Sequence, residues 1–129
     1  MKISDLSDRT GVSTRSIRYY EKKNLIKPSR TENSYRVYDE RDIERVKAIR
    51  FFLDIGLTTD EIQPIIACGS IAPMDGDWNC AEAAIALYEE QLSKTRQQIE
   101  QLENAQRHLK EMIEFWRTVQ IRQSRSKGQ

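Results

Sequence analysis

TGVSTRSIRYYE, residues 10–21, is the stretch on which the fold turns. Gly11 is placed to stop a first helix opened by Ser4, and Ser13 to cap a second running from Thr14 to about Lys23. Two short helices joined by a three- to four-residue turn containing Gly form a helix-turn-helix. Ile3, Leu6, Val12, Ile17 and Tyr20 are spaced to build its small core. With Ile17 and Tyr20 turned inward, Thr14, Arg15, Arg18, Tyr19 and Lys22 fall largely on the outer side of the second helix.

Downstream, Leu25-Ile26-Lys27-Pro28 and Tyr35-Arg36-Val37-Tyr38 flank a polar stretch in which Asn33-Ser34 is the turn candidate, so 25–38 reads as a β-hairpin wing. Alternation puts Tyr35 and Val37 on one face and Arg36 and Tyr38 on the other. Asp39 with Asp42 opens a third helix that Gly56 stops after about Ile55. Thr58-Thr59-Asp60-Glu61 is a capping box for a fourth, to about Ala67, which Pro64 keeps short or bent.

From Ala81 to about Val119 there is neither Gly nor Pro. Steps of three and four residues lead from Ile85 and Tyr88 through Leu92, Ile99, Leu102 and Leu109 to Ile113 and Trp116, with Thr95 and Gln106 as the polar positions. That is a coiled-coil seam rather than a broad globular face. At about 1.5 Å per residue the helix would be roughly 58 Å long, and nothing in residues 1–80 would cover it. Its seam therefore calls for another chain, most simply in a two-fold dimer, antiparallel if it holds two heads apart. Thr95 and Gln106 would fix register at some cost in stability. The expected fold class is thus mainly α: a winged helix-turn-helix head over 1–67, a linker over 68–79, a long antiparallel coiled-coil dimerisation helix over 80–119 and a disordered tail over 120–129.

A net charge of +1 conceals an asymmetry. Arg9 to Arg36 holds eight basic and two acidic residues; Val37 to Ile121 holds nine basic and sixteen acidic. A basic block on a nearly neutral chain is the footprint of a site for a polyanion. Arg and Lys neutralise phosphates, Thr and Tyr hydroxyls donate to phosphate oxygens or base edges, and Arg reads guanine bidentately in the major groove. The wing adds Lys27, Arg30, Tyr35, Arg36 and Tyr38 for flanking phosphates or the minor groove.

In these residues the chain resembles the MerR family of bacterial transcription regulators. The resemblance is carried by Ile3 to Leu6, Thr10 to Ser13, Ile17 to Glu21, Leu25 to Pro28, Asn33 to Tyr38 and Asp42 to Val46, with Ile55 to Thr58 and Glu61-Ile62 in addition. It spans about residues 1–67; Ser34 stands where the family usually has Gly after the wing Asn. The resemblance implies a homodimer with an antiparallel coiled coil. It also implies a double-stranded promoter DNA partner whose overlong spacer is bent and untwisted for RNA polymerase, specificity drawn partly from deformability. Carried over residue by residue, Arg18 and Tyr19 on the recognition helix and Tyr35 and Arg36 in the wing are the DNA contacts, followed by Thr14 and Arg15. For Tyr20 and Tyr38, packing is the more ordinary role.

No cofactor is called for. Cys68 and Cys80 are expected as thiols in a reducing compartment and as a candidate thiol sensor, with small apolar filling as the plainer alternative. Metal-sensing relatives complete their site with Cys or His in a loop after the long helix; none follows Val119, and the lone His108 lies beside the seam, so no metal site is expected. Met74, Trp78, Phe115 and Trp116 read as caps on the coiled coil. An enzyme is disfavoured: one His, no phosphate-binding Gly loop and no clustered nucleophile and base. The start MKISDLSDRT lacks the apolar segment of a secretory signal and no run is long enough for a membrane span, so the cytoplasm is the expected location. The competing class is a coiled-coil adaptor whose basic head binds DNA or acidic proteins without sequence preference.

Overall fold

The structure, a computed structural model, describes residues 1–30, 35–68 and 80–127. Its elements in chain order are α1 (Ile3–Thr10), α2 (Thr14–Lys22), β1 (Ser29–Arg30), β2 (Arg36–Val37), α3 (Glu40–Asp54), α4 (Thr59–Ala67) and α5 (Ala81–Lys127). The chain divides into two compact units, Met1–Glu89 and Glu90–Gln129. The expected Asn33-Ser34 turn, most of the 68–79 linker, Met74 and Trp78 lie outside the described residues.

Local chemistry explains the element ends. Ser13 caps α2 by accepting from the Ser16 N–H. Asp39 and Asp42 form a reciprocal capping box on α3, and Thr58 and Glu61 do the same on α4. Gly11 ends α1 in the left-handed region at φ 73°, a conformation that costs Gly least. Asn24, at φ 62°, turns the chain just past α2. Ser4 is not a cap but lies inside α1: the cap is Lys2, two residues earlier, whose N–H donates to the Asp5 carboxylate at 3.0 Å. Pro64 lies inside α4, which is only nine residues long.

β1 and β2 pair antiparallel, Ser29 opposite Val37 and Arg30 opposite Arg36. Met1 and Tyr38 exchange two hydrogen bonds of 2.7 and 2.8 Å, pinning the wing's base to the start of α1. The first unit's core gathers Leu6, Val12, Ile17 and Tyr20 with Leu25, Ile26 and Tyr38 from the wing's base. Ile43, Val46, Ile49 and Phe52 of α3 and Ile62 and Ile65 of α4 complete it. Burying one such side chain stabilises by roughly 1.5–3 kcal/mol. Polar contacts lock the helices round this core: Arg9 grips Glu40 through two hydrogen bonds of 2.8 and 3.1 Å, and Arg50 donates to the Gly11 carbonyl at 3.1 Å.

Beyond the start of α1, three features differ from the sequence reading. Helix α5 continues to Lys127, past the end expected near Val119. Tyr88, expected in the seam, is half-buried and stacks on Phe52, because the first turns of α5 belong to the head's core. Cys68 and Cys80 are not thiols but are joined by a disulfide. Ile65 of α4 and Leu87 of α5 pack into one core, and the two cysteine Cα atoms end 6.4 Å apart, within bridging reach.

The second unit is α5 alone. Leu92, Ile99, Leu102, Leu109, Ile113 and Trp116 are all about half exposed or more, as an uncovered seam requires.

Asp42 is almost fully buried, and burial raises its carboxyl above the usual range, opposed by its hydrogen bond from the Asp39 N–H. A raised value means that folding favours the protonated form. That contribution is complete below the unfolded value, about 3.9, and is lost as pH climbs through the folded one. Asn keeps an acceptor for the Asp39 N–H and does not ionise. Asp42→Asn should therefore gain stability relative to wild type as pH rises from the unfolded value, about 3.9, upward through the raised folded one. Urea midpoints that keep a constant gap across this range would contradict the assignment.

Candidate nucleic-acid interface

Helix α2 is strongly amphipathic. Its inner face seats Ile17 and Tyr20, at 0% and 6% exposure, which fixes its rotation. Successive residues turn by about 100°, so Arg15, Arg18, Tyr19 and Lys22 stand on the exposed surface while Thr14 is half-buried. The ammonium of Lys23 lies 5.8 Å from the centre of the Tyr19 ring, a cation–π contact that steadies both groups.

The wing places Tyr35 outward at 71% exposure and Tyr38 inward at 2%. The alternation read from the sequence is kept: Arg36 and Tyr38 turn toward α2. Both meet Glu21 there. Arg36 Nε lies 3.3 Å from Glu21 Oε1, Arg30 Nη2 lies 3.7 Å from the same oxygen, and the Tyr38 hydroxyl donates to Oε2 at 3.4 Å. The Tyr38 phenol is held above its usual range, first by burial and then by the Glu21 charge. Tyr38 is thus a packing residue, as is Tyr20, whose phenol burial also raises.

The structure therefore brings Arg15, Arg18 and Tyr19 onto one exposed helix face and ties Arg36 of the wing to that same helix. Glu21 is the residue the sequence reading passed over. It is the only acid between Asp8 and Glu32, and that isolation was the available signal. Its side chain is 16% exposed, so the one negative charge on a basic helix is turned under the wing. What remains outward is basic and aromatic, suited to phosphates and base edges. Among the described residues, no group of three or more His, Cys, Asp or Glu is placed to hold a metal ion. Cys68 and Cys80, spent on each other, present no thiolate.

Glu21→Ala and Arg36→Ala should each lower stability by about 1 kcal/mol, the scale of a partly shielded ion pair. In the double variant the losses should fall short of additive by about 0.5 kcal/mol or more. Additive losses in a denaturant double-mutant cycle would show that the pair does not hold the wing.

Comparison with known proteins agrees with this architecture. Residues 1–67 match the family described as MerR HTH family regulatory protein, and residues 43–112 match the one described as MerR, DNA binding. Over 68 residues the chain is 40% identical to the HTH-type transcriptional regulator CueR of Yersinia pestis, covering 52% of this chain and 49% of that protein. Over 104 residues it is 36% identical to a protein of Haemophilus influenzae described as "Probable heavy metal-dependent transcriptional regulator", covering 80% of this chain and 77% of that one. The chain spans about half the length of the first of these relatives. A crystal structure of a MerR-family transcriptional regulator from Bacillus cereus superposes with a TM-score of 0.68 at 28% identity, covering 87% of this chain and 78% of that one. The winged helix-turn-helix and the helix that follows it are those of the MerR family of helix-turn-helix regulatory proteins, to which this chain belongs.

Proposed function

We propose that the chain is a transcription regulator that binds double-stranded promoter DNA sequence-specifically as a homodimer and distorts the promoter's spacer to control RNA polymerase. The family is one of regulators, not enzymes. The observation that carries this reading is the exposed Arg15, Arg18 and Tyr19 face of α2, with Arg36 of the wing bound to the same helix through Glu21. One rigid piece then offers a helix to the major groove and a wing to the flanking backbone. Arg18 and Arg36 serve phosphates or guanine edges; Tyr19, Tyr35, Thr14 and Arg15 add positioning contacts. The division of labour is a head over 1–67, a connection over 68–79 and a pairing helix from residue 80. None of the helices among the described residues is long and apolar enough to cross a membrane, and the site of action is the cytoplasm, with the DNA.

The salt dependence of binding tests the contacts. Arg18→Ala and Arg36→Ala should each weaken binding to all sequences and shallow the slope of log K against log salt by about one unit. An unchanged affinity and slope in both variants would sink the assignment. Footprinting separates a regulator, which protects a discrete near-palindromic promoter site, from an adaptor with a basic head, which gives no discrete footprint.

The disulfide favours a further property of the same regulator, thiol sensing at Cys68 and Cys80. In a reducing compartment a disulfide is transient and redox-sensing rather than structural. A hydroperoxide would oxidise one thiolate to a sulfenic acid, releasing water or an alcohol. The second thiol would displace water to close the disulfide, and a dithiol would reverse it by exchange. Reduced and oxidised protein should then differ in operator affinity or in promoter output. Cys68→Ser and Cys80→Ser variants that keep the full oxidant response would end this reading.

A further inference from the structure

We infer the register of the antiparallel pairing that the family resemblance implies for α5: it is set by a polar layer and by charges on one flank of the seam. The inference rests on the homodimer proposed above and deepens it.

The seam alternates two kinds of position, each repeating every seven residues: a from Ile85 to Ile113 and d from Thr95 to Trp116, Tyr88 being taken up by the head's core. In an antiparallel pair each a layer meets a d of the partner. A two-fold axis crossing the seam midway between Ile99 and Leu102 puts Ile99 against the partner's Leu102 and Leu92 against the partner's Leu109. It also puts Thr95 against the partner's Gln106. The only two polar residues of this seam then share a layer, where the Thr95 hydroxyl, which donates to the Gln91 carbonyl at 2.8 Å, can accept from the Gln106 amide and spare it a hydrocarbon layer.

The charges agree independently. The residue after each d flanks the seam and faces its counterpart on the partner. In this register Arg96 faces the partner's Glu103, Glu89 faces the partner's Lys110, and Glu82 faces the partner's Arg117. All three are opposite-sign pairs, and the two-fold axis doubles each. All six residues are exposed, and the described ion pairs of α5, Lys94 with Glu90 and His108 with Glu111, use none of them. The opposite flank carries Gln91, Gln98, Ala105 and Met112, uncharged, so one edge alone holds the code.

Neighbouring registers fail on both counts. With the axis between Thr95 and Ile99, Arg96 faces the partner's Arg96, Glu89 faces the partner's Glu103, and Thr95 is set against the partner's Ile99. With the axis between Leu102 and Gln106, Glu103 faces itself, Arg96 faces the partner's Lys110, and Gln106 is set against the partner's Leu102. A parallel pair places Gln91 opposite the partner's Arg96 and leaves the flank without an ion pair.

Charge reversal on the full chain tests the register, read by sedimentation equilibrium with helicity checked by circular dichroism. Arg96→Glu alone and Glu103→Arg alone should each raise the dimer Kd about 5-fold or more, since two attractive pairs per dimer become repulsive. The double variant Arg96→Glu/Glu103→Arg should return it to near the wild-type value. A single reversal that leaves Kd unchanged or tightens the dimer, or a double variant no better than the singles, overturns the register. A wild-type chain that stays monomeric at micromolar concentration would overturn the homodimer itself, so the two failures are told apart.

Discussion

The seating of Ile17 and Tyr20 in the head's core is the contact on which the rest of this surface depends. A nine-residue helix is too short to hold its shape in water on its own. Its conformation and its rotation are both borrowed from the core it packs on. A rotation by one residue would drive Arg18 inward, an uncompensated charge that the core has no partner for. With the two apolar anchors in place, Arg15, Arg18 and Tyr19 have nowhere to be except the outer face. The wing is then fastened to that same helix by Glu21 and to the start of α1 by Met1. Helix and wing move as one body because each is tied to α2 or to the core behind it.

Charge is distributed to match. The outward side of α2 is basic because its one acid is spent internally, balancing Arg36 and Arg30. The acidic excess of the rest of the chain lies beyond the wing. A molecule of nearly zero net charge is thereby attractive to a polyanion in one place and neutral or repulsive elsewhere, which keeps association local rather than general. The long helix separates its functions in the same manner: apolar along the seam, charged on one flank, neutral on the other.

Much of this was readable from residues alone, where the controlling interactions are short in sequence. Ser13, Asp39 and Thr58 announce helix starts because a cap involves residues two or three apart. The period of α5 shows in its apolar spacing. Ser4 misled because Asp5, equally local, binds the backbone of Lys2, and the helix starts from there, two residues earlier. The features that stayed hidden depend on distant parts of the chain meeting. Glu21 finds Arg36 across the wing, Tyr88 finds Phe52 across the core, and Cys68 meets Cys80 where α4 and α5 pack on the same apolar cluster. The end of α5 was misplaced for a local reason: RQSRSKGQ has no breaker before Gly128, and polarity alone does not stop a helix.

The corner between α1 and α2 is a matter of handedness rather than of room. A Cβ built on Gly11 meets nothing within 4 Å, so the turn has space for a larger residue. What excludes most side chains is the left-handed backbone at φ 73°, which costs an ordinary L-residue roughly 1–2 kcal/mol. Asn is the common exception, and Asn24 already adopts that conformation just past α2. The choice of residue at the corner is thus governed by torsional preference rather than by room. Drift at position 11 is channelled toward residues that tolerate the mirror-image twist, whatever their bulk.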